Sequence, residues 1–157
     1  MKIIRYIDSK GDTHYGSYKK NNGTTRIIGD IFQDFEDSGD SADIFKLLAP
    51  FEPKDIICIG MNYKQHAFES NTHFPKYPIV FMKNSGSIQN PNDPIIIPGK
   101  LLSKKVDYEC ELAIVIGKKC CNVSKDKAHE YILGYTCAND VSARDWQNRD
   151  SAGQLSR

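Results

Sequence analysis

The sequence has almost no excess of charge: 21 lysines and arginines against 20 aspartates and glutamates leave a net charge of +1 at pH 7. Nucleic acids and anionic membrane surfaces select basic patches. We therefore predict that neither is a partner. The sequence also lacks an apolar run near the ~20 residues of a membrane span, a signal-peptide core and a transit pattern. We predict a cytoplasmic protein, and leave a mitochondrial location open for a eukaryotic source.

Cysteine motifs are also lacking. The five cysteines form no C-x-x-C and no Cys/His zinc spacing, and their number is odd. Three lie in or beside apolar runs. This pattern predicts reduced, buried thiols rather than disulfides or a zinc site.

The first 50 residues predict a small β-rich N-terminal domain. Alternating, β-prone stretches at residues 2–8, 13–18 and 24–31 are separated by turn signals such as Asn22-Gly23. The acidic stretch 34–40 reads as a loop. Ser41 is a suitable cap for a short helix over residues 42–48, before Pro50.

Residues 51–157 have a different pattern. Apolar, β-branched runs predict strands at 55–59, 77–83, 112–116 and 134–139. Ser124 is placed to cap a helix over 125–133, which Gly134 would end. A second helical stretch is predicted at 142–147.

Two carboxylates precede the strand at 112–116. Glu109 and Glu111 are two residues apart, so a strand would point both to one face and Cys110 to the other. Hard cations such as Mg²⁺ bind carboxylate oxygens in such an arrangement. A solvated strand end with two surface acids is the alternative, and the pair alone does not decide between them.

Several blocks, in this order, together resemble the fumarylacetoacetate hydrolase family over about residues 51–157. They are Gly60-Met61-Asn62-Tyr63 with His66 and Glu69, Phe81-Met82-Lys83, Asp107-Tyr108-Glu109-Cys110-Glu111-Leu112, Gly134-Tyr135-Thr136, and Asn139-Asp140-Val141-Ser142-Ala143-Arg144-Asp145-Trp146-Gln147. Each block alone is weak, and their order makes the resemblance specific.

The resemblance implies an α+β, β-rich fold, the mixed β-sandwich roll of this family, usually dimeric. Residues 51–157 would be the N-terminal part of the catalytic domain. It also implies a metal-dependent enzyme acting on β-diketo or 2-oxo acids. The reactions include acylpyruvate-type C–C hydrolysis, isomerisation of 2-hydroxyhepta-2,4-diene-1,7-dioate, and decarboxylation or tautomerisation of oxaloacetate.

The resemblance further assigns site residues. Mg²⁺ (or Mn²⁺ or Ca²⁺) would be held by Glu109, Glu111 and Asp140. His66 and Glu69 match a water-activating pair, and the substrate contacts would be Lys83, Arg144 and Gln147. Outside this context, His66 reads as a surface residue and Arg144 as a partner of Asp145 or Asp140.

A metal site shared by these three carboxylates would restrict the relative direction of the two strands. The glutamates begin one strand and Asp140 follows another, so parallel neighbours would separate them by about 15–20 Å at ~3.3 Å per residue. We therefore expect an antiparallel or crossed arrangement. The carboxylate oxygens should then converge to about 3–5 Å, given Mg–O distances near 2.1 Å.

The sequence departs from the family pattern at its end. It stops at Arg157, where family members continue with further strands and another active-site lysine. We expect a C-terminally truncated member, which would be homodimeric when full length. The alternative to an enzyme is a non-catalytic remnant of one.

Overall fold

The computed structural model describes residues 1–69, 71–97, 99 and 103–147. The strands are β1 (Lys2–Ile7), β2 (Thr13–Lys19), β3 (Gly23–Gly29), β4 (Phe35–Ser41), β5 (Lys46–Leu48), β6 (Ile56–Gly60), β7 (Ile79–Lys83), β8 (Val106–Asp107), β9 (Cys110–Ile116), β10 (Ile132–Asn139) and β11 (Ser142–Ala143). The helices are α1 (Lys64–Glu69) and α2 (Arg144–Gln147), with 3₁₀ turns at Ser85–Ser87 and Ala128–Tyr131. This composition confirms a β-rich α+β fold.

The first 48 residues form an antiparallel sheet in the order β4-β3-β2-β1-β5. Its core is centred on Tyr6, which is 1% exposed, and Ile27, which is 5% exposed. The sheet contacts the following part of the chain through an ion pair of Lys46 with Asp93 at 2.7 Å. The Ala49 amide also donates to Asn90 Oδ1 at 3.0 Å. A domain boundary at residue 50 stays a prediction.

Two predictions for this sheet are wrong. Residues 34–40 are mostly strand β4, not a loop, and the helix at 42–48 does not form. Instead, Lys46 pairs with Ile7 at the edge of β1. A helix of seven residues is too short to be stable by itself, so hydrogen bonds to the exposed edge of β1 decide the conformation.

The turn between β3 and β4 requires glycine at position 29. Gly29 has φ +98°, and a Cβ there would lie 2.4 Å from the backbone oxygen of Asp34. Gly29→Ala should therefore destabilise the sheet by about 2–4 kcal/mol, the sum of a left-handed backbone and a backbone clash.

The matched control is Gly11→Ala. Gly11 has a similar φ of +92°, but no heavy atom lies within 4 Å of the position that an alanine methyl group would take, so only the backbone penalty applies. Urea denaturation of both variants measures the difference. Equal midpoints would show that the clash at position 29 is relieved at no cost.

The rest of the chain forms three antiparallel pairs: β6 with β7, β8 with β11, and β9 with β10. The predicted helix at 125–133 is replaced by a 3₁₀ turn, and β10 already begins at Ile132, which pairs with Ile116. Gly134 lies inside β10, next to a register shift, and does not end a helix. The stretch 142–147 divides into β11 and α2.

These pairs leave apolar faces open within the described chain. On the β9–β10 pair, one face presents Leu112, Ile114, Ile116, Leu133 and Tyr135, which are 37–62% exposed. We call these five residues the open face. Four of the five cysteines, including Cys110 and Cys137, are exposed, and none of the five forms a disulfide in the described structure. The prediction of buried thiols is therefore wrong, because the apolar runs beside them are themselves uncovered. Within the described residues, neither helix has the length and apolarity that crossing a bilayer requires.

Candidate active site

The antiparallel pairing of β9 and β10 brings the predicted metal ligands to one end of the strand pair. Asn139 lies opposite Cys110, and Ala138 lies opposite Glu111. Just beyond the strands, the Asp140 amide donates to the Glu109 carbonyl at 3.0 Å. The start of one strand and the end of the other therefore meet. The antiparallel arrangement expected from the sequence is confirmed.

The two faces of β9 differ in exposure. Cys110 and Leu112 are exposed, whereas Glu111 and Ala113 are half-buried. Glu111 and Cys110 thus point to opposite faces, as the two-residue period requires. Glu109, directly before the strand, is also half-buried.

Strand β7 delivers a lysine to this end. Lys83 is its last residue, and its ammonium forms an ion pair with Asp140. The two side chains are only 11% and 7% exposed. Two longer contacts surround the pair: Ser142 Oγ donates to Asp140 Oδ1 at 3.4 Å, and Lys83 Nζ donates to the Val141 carbonyl at 3.5 Å. The pair is therefore largely removed from water.

Helix α2 provides the second positively charged side chain at this end, that of Arg144. Arg144 donates to Asp107 at 3.0 Å and pairs with Glu109 at 2.5 Å. It also donates to Gln147 Oε1 at 3.2 Å, so Arg144 and Gln147 share a face of α2 as predicted. The partners of this arginine are thus Asp107 and Glu109. The alternative pairing with Asp145 or Asp140 is not among its ion pairs in the described residues.

Glu111 has a different environment. Burial raises the pKa of its carboxyl group above the ordinary value, and the nearby carboxylates of Asp140 and Glu109 raise it further, against an opposing effect of Lys83. Among the described residues, Glu111 makes no ion pair. It is therefore the acid at this end whose negative charge is least compensated.

The three predicted ligands do not converge as closely as expected. Within the described chain, the ligand oxygens of Glu109, Glu111 and Asp140 do not all lie within 4.8 Å of one another. The reason is visible in the ion pairs: Lys83 holds Asp140, and Arg144 holds Glu109. Three like charges otherwise repel, and protein cations separate them.

The donor set still fits a hard divalent cation. Asp107, Glu109, Glu111 and Asp140, which we call the acidic rim, carry four negative charges against the two positive charges of Lys83 and Arg144. The resulting net charge of −2 is what one divalent ion would balance. All donors are carboxylate oxygens, the type that Mg²⁺ and Mn²⁺ prefer.

The predicted His66–Glu69 pair lies on α1. His66 is exposed, and Glu69 accepts a hydrogen bond from Gln65 Nε2 at 2.9 Å. The contacts of the described residues include no hydrogen bond between His66 and Glu69. Their joint role in catalysis stays a prediction, as do the roles of Lys83, Arg144 and Gln147 in substrate binding.

Sequence reasoning missed three supporting residues. Tyr63 accepts the Leu112 amide at 3.0 Å and so ties the segment before α1 to β9. Asp107 orients Arg144. Asp145 accepts from Ser103 Oγ at 2.6 Å and from the Lys104 amide at 2.9 Å. All three lie within the sequence blocks that resemble the family, but their contacts depend on how distant parts of the chain pack.

The fold and these residues together define an α+β protein with a carboxylate-lined rim where antiparallel strands end. Residues 55–157 match the model of the fumarylacetoacetate (FAA) hydrolase C-terminal family. The chain belongs to this family.

Two curated relatives illustrate the similarity. The chain is 55% identical over 109 residues to the fumarylacetoacetate hydrolase domain-containing protein 2 homolog of Dictyostelium discoideum, covering 69% of this chain and 35% of that protein. It is 52% identical over 109 residues to the oxaloacetate tautomerase fahd2, mitochondrial, of Xenopus laevis, covering 69% of this chain and 34% of that protein. The chain therefore spans about a third of the length of these relatives.

Solved structures show the same fold. One is the 5-carboxymethyl-2-hydroxymuconate delta-isomerase from Mycobacterium smegmatis, with a TM-score of 0.81 and 33% identity, covering 99% of this chain and 61% of that one. Another is the 2-hydroxyhepta-2,4-diene-1,7-dioate isomerase from Mycobacterium marinum, with a TM-score of 0.78 and 34% identity, covering 100% and 60%. The family-type fold predicted from the sequence is confirmed.

Proposed function

We propose that this chain carries the cation-binding and proton-transfer residues of a metal-dependent enzyme that acts on 2-oxo or β-diketo acids. Among the reactions considered, we favour tautomerisation or isomerisation over C–C hydrolysis and decarboxylation. The names of relatives support this choice: one is an oxaloacetate tautomerase and two are isomerases. The partner would be a small 2-oxo acid, and the full-length protein a homodimer.

One observation carries the proposal. The acidic rim with Lys83 and Arg144 is assembled from three separate parts of the chain, namely β7, the β8–β9 segment and the segment from β10 to α2. A solvated strand end would not need two half-buried cations or a carboxylate with a raised pKa. Perturbed acids clustered with cations are typical of functional sites.

The rim residues suit this chemistry. Glu109, Glu111 and Asp140 would hold the cation, which supplies Lewis-acid stabilisation of an enolate when bound. Lys83 and Arg144 provide positive charge for a substrate carboxylate or oxyanion. His66, exposed on α1, would carry the proton that a keto–enol interconversion moves.

A non-catalytic role is the second candidate. It is favoured by the open face, whose five residues are 37–62% exposed. A piece with uncovered sheet faces can present the rim without completing the pocket around a substrate.

A chimera provides the test. Residues 1–157 are joined to the C-terminal part of the Dictyostelium relative, and the enol-to-keto conversion of oxaloacetate is followed by ultraviolet absorbance with and without Mg²⁺. We expect Mg²⁺-dependent acceleration by the chimera. His66→Ala should lower its kcat by about 10²–10⁴-fold and leave Mg²⁺ affinity unchanged, because this residue handles a proton rather than the cation.

His73→Ala is the matched control, since His73 is also exposed and lies in the neighbouring loop. It should behave as the unaltered chimera. Equal losses of activity in both variants, or a parallel loss of Mg²⁺ affinity in His66→Ala, would contradict the role assigned to His66. A chimera that folds without Mg²⁺-dependent activity on 2-oxo acids would favour the non-catalytic role.

A further inference from the structure

We propose that Lys83 is an internal counter-ion of Asp140 that a divalent cation displaces, so that cation binding releases the lysine ammonium for an acidic substrate. The inference rests on the proposed function, because it assumes that the cation binds at the acidic rim. It adds an order of events: cation first, substrate second.

The contact itself supports a dual use of Asp140. Lys83 and Ser142 both contact Oδ1 of Asp140, whose side chain is 7% exposed, and the predicted cation would bind the other oxygen of the same carboxylate. Two cations on one buried carboxylate repel each other strongly, because little water screens them. Cation binding at Asp140 therefore weakens the hold of this carboxylate on Lys83.

The ion pair between Arg144 and Glu109 differs, because Arg144 has other partners. Arg144 has Asp107 at 3.0 Å and Gln147 at 3.2 Å in addition to Glu109, and its side chain is 29% exposed. If Glu109 turned towards a cation, Arg144 would keep two partners. Lys83 has, besides Asp140, only a long 3.5 Å contact to the Val141 carbonyl among its described contacts.

A released lysine has a defined use. Its ammonium would be freed within reach of the rim, since a lysine side chain is a flexible donor on a four-carbon stem. The charge that compensated Asp140 then becomes available to a substrate carboxylate. A substrate arriving before the cation would instead compete with Asp140 for Lys83 and bind weakly.

Lysine labelling tests the release directly. The 157-residue chain is treated briefly with acetic anhydride, with and without saturating Mg²⁺, and acetylation at each lysine is quantified by mass spectrometry. We expect Mg²⁺ to increase labelling of Lys83 at least fivefold. Lys46 is the internal control, because it is also paired with an aspartate, Asp93, at 2.7 Å but lies in the N-terminal sheet. Its labelling should not change.

Calorimetry provides the second measurement. Lys83→Gln should bind Mg²⁺ at least tenfold more tightly than the unaltered chain, because the competing charge is gone. Lys83→Arg keeps the charge and should stay within about threefold. Lys46→Gln should match the unaltered chain. Circular dichroism verifies that each variant is folded. If Lys83→Gln is unfolded, the labelling experiment still tests the proposal, because it uses the unaltered chain.

The outcomes separate this inference from the proposed function. If Mg²⁺ binds and Glu111→Gln abolishes binding, but Lys83 labelling and the Lys83→Gln affinity do not change, the counter-ion exchange is wrong and the metal site stands. If Glu111→Gln binds Mg²⁺ as tightly as the unaltered chain, the cation lies elsewhere, and both are overturned. Absence of binding in every variant also overturns both.

Discussion

Replacing Glu111 with glutamine is expected to lower the affinity of the chain for Mg²⁺ or Mn²⁺ at least a hundredfold. Glu111 is the rim acid without an ion pair in the described chain, and burial raises the pKa of its carboxyl group. Its charge is thus costly without a cation and favourable with one. Glutamine has nearly the same shape as glutamate but no negative charge. A loss of cation affinity in this variant therefore reflects the loss of a charged metal ligand and not a change in packing.

Proton competition gives the same prediction a second readout. A carboxyl group with a raised pKa binds protons at higher pH than an ordinary glutamate, and the cation must displace that proton. Cation affinity should therefore fall as the pH decreases through the raised pKa of Glu111. In Glu111→Gln, this part of the pH dependence should disappear.

The control for Glu111→Gln lies at the other end of the chain. Asp8, Asp12 and His14 are a group in the described residues whose ligand atoms lie within 4.8 Å of one another. Two of its members are already engaged with each other, because Asp8 contacts His14 at 3.0 Å and also accepts from the Lys10 and Asp12 amides at 2.9 Å. Asp12→Asn should leave cation affinity unchanged. Loss of binding in Asp12→Asn, with binding retained in Glu111→Gln, would move the cation to the hairpin.

The sequence predicts this rim because its main signal is local. The spacing of Glu109 and Glu111 defines a face, and the two strand ends can meet only if the strands are antiparallel, as they are. The family blocks add Asp140. Nothing local predicts that Lys83 holds Asp140 or that Arg144 holds Glu109, because those contacts depend on how β7 and α2 pack.

The wrong predictions have a common physical cause. The helices expected at 42–48 and 125–133 follow from capping residues and local propensity, which are weak compared with an available strand edge. Lys46–Leu48 pair with the edge of β1 as strand β5, and Ile132 pairs with Ile116 of β9.

The second large effect concerns the open face. We expect the 157-residue chain to associate, and to elute from gel filtration well above its monomer mass of 17.7 kDa. Leu112, Ile114 and Tyr135 are 60%, 53% and 62% exposed on one side of a two-stranded pair. Such patches, beside unpaired strand edges, drive association.

The magnitude is large relative to typical stability. Covering a few hundred Å² of apolar surface contributes several kcal/mol at about 25 cal/mol per Å². A typical domain is stable by only about 5–15 kcal/mol. The chimera with the C-terminal part of the Dictyostelium relative should therefore elute as a discrete species and melt at a higher temperature than the 157-residue chain.

A pair of substitutions identifies the surface responsible. Ile114→Thr retains a β-branched side chain suited to a strand but reduces the apolarity of the open face, so it should shift elution towards the monomer. Phe45→Ser removes a phenylalanine that is 76% exposed and lies directly before β5, and it should leave elution unchanged. If the unaltered chain is monomeric and melts cooperatively, its open face is tolerated in water. If Phe45→Ser alone prevents association, copies of the chain meet through the N-terminal sheet.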